Sequence, residues 1–95
     1  MSAPVLSILI PVFNEEEFVA ILLDRVLAAP LPAGIERELI IVDDGSNDGS
    51  VEAVRLFAAS RPDSRINLIV HEKNRGKGAA IRTAIAAATG TRWPL

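Results

Sequence analysis

The sequence predicts an α/β fold: an open parallel sheet in β-α-β-α-β-α order. Three observations carry that expectation. Residues 5–12, 39–42 and 66–70 are short, β-branched apolar runs without alternation, the pattern of strands buried on both faces. Each run is followed by a stretch whose apolar residues recur at helical spacing. The segments that join the end of each strand to its helix are the most polar and glycine-rich of the chain, and in an open α/β sheet ligands bind at those carboxyl ends.

Taken in order, the first strand runs to Pro11, which cannot donate to a sheet ladder, and gives way to Asn14 as the expected helix N-cap, with Glu15, Glu16 and Glu17 favourable in the first turn. Val19, Leu22, Leu23, Val26 and Leu27 form the apolar stripe of that helix. Residues 30–34, Pro-Leu-Pro-Ala-Gly, make a plain return loop at the opposite end of the sheet. The second strand ends on Asp43 and Asp44 before a Gly45-Ser46 turn, and Val51, Val54 and Ala58 mark the second helix. The third strand leads through HEKNRGKGAA into a helix carrying Ile81, Ile85 and Ala88, with Gly90 as its expected C-cap.

Ninety-five residues amount to one small domain or part of a larger one, and we expect residues 1–95 to form a single partial domain. An apolar fraction of 49% with 23% charged residues is globular rather than disordered. The absence of cysteine excludes disulfides, thiolate metal sites and a cysteine nucleophile, and the single His71 cannot build a histidine metal cluster. No apolar run approaches the roughly 18 residues of a membrane span, and no basic region precedes the first apolar stretch, so a cytoplasmic chain is expected. The net charge of −2 hides a division: residues 1–52 carry two basic and ten acidic side chains, residues 53–95 eight basic and two acidic. Either the halves neutralise each other, or the basic half meets an anionic ligand. Nucleic acid is not the expected partner, because the basic residues are not interleaved with aromatics.

Adjacent side chains on a strand point to opposite faces, so one of Asp43 and Asp44 aims into the crevice while the other braces the turn. A carboxylate at a strand end can accept the N–H edge of uracil or guanine, or serve only as turn chemistry. A calcium loop is excluded, since a register beginning at Asp44 reaches Arg55 where a bidentate Glu is required. Gly76-Lys77-Gly78 at a helix start offers free N–H groups and positive charge to phosphate, or merely lets helix and sheet approach closely. It is neither a dinucleotide fingerprint, lacking a third glycine at Ile81, nor a Walker loop, lacking Ser or Thr after Lys77. Phosphoacceptor receiver domains are excluded because the loop after the first strand holds Pro11, Val12 and Phe13 where acids belong. Phe13 could stack on a base or fill the core, Glu15 could serve a nucleoside or only support the helix start, and His71 reads as structural.

Together SILIPVFNEEE, IIVDDGSNDGS and NRGKGAAIRTAI, in this order and spacing, resemble the nucleotide-binding half of family 2 glycosyltransferases of the GT-A fold, closest to dolichyl- and polyprenyl-phosphate sugar transferases. The resemblance covers roughly residues 5 to 90. It implies a Rossmann-like half of a GT-A fold that binds a UDP- or GDP-linked sugar, with a lipid phosphate or other molecule as acceptor. By that resemblance Pro11, Phe13 and Glu15 line the nucleoside pocket, Val42 and Asp44 contact the base, Asp43 supports the loop, and Gly76, Lys77 and Gly78 close the donor site. The family's next strand ends in an acidic DxD-type motif that holds Mg²⁺ or Mn²⁺; here Thr91-Arg92-Trp93-Pro94-Leu95 replaces it. The expectation is therefore a fold truncated before its metal-binding strand, with no cofactor of its own, little transferase activity as an isolated chain, and an exposed sheet edge that favours a homodimer. The alternatives are a non-catalytic nucleotide-binding module and a structural remnant.

Overall fold

The computed structural model describes residues 3–95. Its elements run β1 (Val5–Val12), α1 (Val19–Ala28), β2 (Glu36–Asp43), α2 (Ser50–Ala59), β3 (Arg65–Val70), α3 (Lys77–Ala87) and β4 (Thr91–Pro94). The strands form one sheet in the order β3-β2-β1-β4, and every pairing is parallel. The α/β class and the parallel sheet are as the sequence predicts.

Alternation along the two central strands divides the core into two layers. Ile8, Ile10 and Val12 of β1 and Leu39 and Ile41 of β2 meet Val19 and Leu23 of α1 and Val54 and Phe57 of α2. Leu9, Ile40 and Val42 face the other way, against Ala80 and Ala84 of α3. The first layer is filled by large branched side chains; the second is thin because alanines let α3 lie close on the sheet. The same alternation puts Glu38 and Asp44 on the α3 side and Asp43 on the α1/α2 side.

Four local expectations are corrected. Residues 91–94 form a strand, pairing with β1 from Leu6↔Thr91 to Leu9↔Pro94. No apolar run announces it; it exists because β1 offers a free edge, and because Glu38 and Ser7 seize the chain just before it. Thr89 donates to Glu38 Oε2 from its N–H (2.8 Å) and its hydroxyl (2.7 Å), Ser7 Oγ donates to the same oxygen (2.6 Å), and Gly90 N donates to Ser7 Oγ (2.9 Å). Gly90 is consequently no helix cap: α3 ends in extended backbone at Ala88, and Gly90 lies so close to β1 that a Cβ would collide with Val5 O. Asn14 is no N-cap either. It takes a left-handed φ of +50°, and α1 begins only at Val19 after a turn closed on Glu15 O. Finally β3 is an edge strand with alternating, partial burial, so the expectation of burial on both faces holds for β2 but not for it.

Oppositely charged halves do meet. Arg61 pairs with Asp24, and Arg65 lies 3.6 Å from Glu36 and 3.8 Å from Glu38. The pairs with Asp24 and Glu36 are exposed and add little stability. Among the described residues no helix is long and apolar enough to cross a membrane.

Candidate functional site

Because the sheet is parallel, the segments after β1, β2 and β3 emerge at one end, and hydrogen bonds stitch them into a single rim. Asn14 N donates to Ser46 Oγ (2.9 Å), Asn47 N to Asn14 Oδ1 (2.8 Å) and Glu15 N to Ser50 Oγ (2.8 Å). These contacts explain why Asn14 leaves the capping role. Its side chain serves a neighbouring loop instead of its own helix. Asp48 accepts the N–H of Ser50 at 2.9 Å and also its hydroxyl, which holds the Asp48 carboxyl below its usual value. Gly45 turns the chain with φ +76°, and a Cβ there would strike the backbone of Lys73 and Asn74. Glycine thus brings the second and third loops into direct contact.

Between the loops opens a cleft of about 330 Å³ lined by Pro11, Val12, Phe13, Glu15, Asp44, Asn74, Lys77, Ala80 and Leu95. Five of the eight predicted site residues, Pro11, Phe13, Glu15, Asp44 and Lys77, are therefore brought together. Phe13 is 42% exposed, so it does not fill the core and leaves its ring available. Val42 is fully buried beneath α3 and does not line the cleft. Gly76 and Gly78 do not line it either. Gly76 caps α3 with φ +98°, a backbone state glycine adopts without strain, and presents the first-turn N–H groups of the helix.

The two aspartates divide as alternation requires. Asp43 braces its own loop, accepting Ser46 N (2.9 Å) on Oδ2 and Ser46 Oγ (2.7 Å) on Oδ1. Asp44 turns toward α3 and is 3% exposed. It accepts Arg75 N and His71 Nδ1 on Oδ1 and Gly76 N on Oδ2, all at 2.9 Å. Burial pushes its carboxyl up, but the His71 bond and the two backbone N–H groups outweigh that and hold it below the usual carboxylate range. His71 is buried, and its ring bonds Asp44 on one side and Thr83 on the other, so its partners lie at the site. Asn74 and Ala80, which also line the cleft, belong to the glycine-rich segment whose flanking residues carry the sequence signal. Among the described residues no group of three or more His, Cys, Asp or Glu could hold a metal ion, so the side chains present do not fit one.

The profile of glycosyl transferase family 2 matches residues 7–93. The chain belongs to that family. It is 43% identical over 84 residues to an undecaprenyl-phosphate 4-deoxy-4-formamido-L-arabinose transferase of Pectobacterium atrosepticum, a match covering 88% of this chain and 25% of the relative. The corresponding transferase of Photorhabdus laumondii is 42% identical over 84 residues, 88% of this chain and 26% of that protein. Among solved structures, a mannosyltransferase of Pyrobaculum calidifontis in complex with GDP-Man and Mn²⁺ superposes with a TM-score of 0.79 at 32% identity, over 94% of this chain and 25% of that one. S. aureus TarS in complex with UDP gives a TM-score of 0.81 at 25% identity, over 100% of this chain and 27% of that one. The family 2 chain thus spans about a quarter of the length of the relatives it matches.

Proposed function

We propose that the chain is the nucleotide-binding part of the donor site of a glycosyltransferase, whose complete reaction moves a sugar from a UDP- or GDP-linked donor to a lipid phosphate or other acceptor. The observation that carries this is the placement of Asp44 in the cleft, an ionised acceptor beside the half-exposed Phe13 ring and the N-terminus of α3. Asp44 accepts a base N–H, Phe13 and Pro11 contact the apolar faces of the nucleoside, and Lys77 with the free N–H groups after Gly76 faces the diphosphate. Gly78 keeps that approach free of side chain, Glu15 borders the nucleoside, and Val42 supports Asp44 from below. Membership of family 2 and the sugar-phosphate chemistry in the relatives' names support the reading.

Metal chemistry enters only as it does for the mannosyltransferase, which carries Mn²⁺. The carboxylates for Mg²⁺ or Mn²⁺ are not gathered among the described residues, so this part of the site binds nucleotide without a metal of its own. A cytoplasmic location and a homodimer complete the proposal. The dimer is supported by the β4 edge, where Trp93 is 60% and Leu95 48% exposed. A monomeric mass by light scattering across a concentration series would exclude it.

Calorimetric titration with UDP, GDP and their sugar conjugates, with and without Mn²⁺, tests the site. We expect metal-insensitive binding of one nucleotide family, weakened at least tenfold (about 1.4 kcal/mol) in Asp44→Asn. No heat from a chain that circular dichroism reports as folded would overturn the reading.

A further inference from the structure

The hydrogen bonds already on Asp44 limit what a ligand can still offer it, and the limit depends on His71. That residue follows β3, is 7% exposed, and is anchored by its own N–H on Asp43 O at 2.8 Å. Its ring bridges two elements: Nδ1 lies 2.9 Å from Asp44 Oδ1, and Nε2 lies 2.8 Å from Thr83 Oγ1 on α3. An ionised carboxylate only accepts, so Nδ1 carries a proton and donates to Asp44, while Nε2 pairs with the Thr83 hydroxyl.

A carboxylate has about four lone-pair positions, two on each oxygen. Asp44 Oδ1 already takes two donors, His71 Nδ1 and Arg75 N, whereas Oδ2 takes one, Gly76 N. Oδ2 is the freer acceptor.

We infer that His71 is a specificity-determining positioning residue: by occupying Oδ1 it leaves Oδ2 as the freer acceptor of Asp44, which suits a base with a single ring imide N–H, such as uracil, and disfavours guanine. The inference rests on the nucleotide reading of the cleft. Guanine presents two adjacent donors, its ring N–H and its amino group, which need both carboxylate oxygens at once. A third donor on Oδ1 would have to crowd His71 Nδ1 and Arg75 N, so one of guanine's two donors is left poorly paired in the cleft, a loss of about tenfold or more in affinity. Uracil places one N–H on Oδ2 and leaves nothing unpaired.

The test is calorimetric titration of the chain, His71→Asn and His71→Gln with UDP and GDP, reading the ratio of the two affinities. The Asn amide reaches the place of Nδ1 and keeps the bond to Asp44, whereas the longer Gln amide takes the place of Nε2 against Thr83. We expect the native chain to favour UDP at least tenfold, His71→Asn to retain that preference, and His71→Gln to shrink it at least threefold. A merely structural histidine would lower both affinities together and leave the ratio unchanged, so an unchanged ratio in His71→Gln overturns the inference. So does native binding of GDP as tight as UDP, while the nucleotide reading then survives. Failure of the native chain to bind either nucleotide overturns both.

Discussion

Glu38 and Asp44 stand on the same face of the second strand's track, six residues apart in sequence and at opposite ends of the row that continues through Ile40 and Val42 beneath α3. Both are buried, both accept three hydrogen bonds from the protein, and both are held below their ordinary pKa despite burial. Between them they fasten the two ends of α3: Asp44 grips the backbone just before the helix, and Glu38 grips Thr89 just after it. The chemistry is alike, yet the roles part. Glu38 accepts its three hydrogen bonds on Oε2, from Ser7 in β1 and from Thr89 just before β4, so its bonds serve the sheet. Asp44 spreads its donors over two oxygens, borders the cleft, and keeps an acceptor in hand. Position in the parallel sheet, more than residue type, separates a structural carboxylate from a binding one.

The largest test of this division is Glu38→Ala. Removing the acceptor leaves the Ser7 hydroxyl and the Thr89 N–H unpaired and should lower unfolding free energy by about 2–3 kcal/mol in urea titrations, with the UDP affinity of the folded chain unchanged. A loss of affinity equal to that of Asp44→Asn would break the comparison. Gly45→Ala strikes the other end. The substitution strains a positive φ and pushes the second loop off Lys73 and Asn74, and about 1–2 kcal/mol of stability should go together with nucleotide affinity. Acid titration gives the smallest effect. A folded carboxyl pKa below its unfolded value contributes stability that is complete above the unfolded value, near pH 4, and fades as pH falls through the lowered one. Unfolding midpoints should therefore decline below about pH 4, and less steeply in Glu38→Gln than in the native chain.

What the sequence disclosed and what it withheld differ in kind. The strands and helices announced by apolar periodicity were readable because the buried faces repeat locally, and β1 falls on residues 5–12 as expected. The cleft was readable through Asp44 and the residues about Gly76, whose types suit anion and base recognition at strand ends. Residues 91–94 were not readable as a strand, since Thr-Arg-Trp-Pro has no apolar run and its pairing depends on β1, at the other end of the chain. Nor were Ser7, Glu38 and Thr89, polar residues far apart in sequence whose partnership is created by the fold. Likewise Asn14 has the chemistry of a helix cap, and only the nearness of Ser46 and Asn47 assigns it elsewhere. His71 looked structural, and its bond to Asp44 becomes visible only when β3 lies beside β2.

The pairing of β1 with β4 also governs how the molecule can assemble in time. β1 can zip onto β2 across the α1 crossover, a connection of modest length, but its other edge must wait for residues 91–94, separated from it by nearly the whole chain. Closing so long a loop has to precede any reward from the contact, so we expect β4 to dock late in folding. Stopped-flow refolding should resolve it as a step sensitive to changes at Glu38 or Gly90 and indifferent to changes in the cleft.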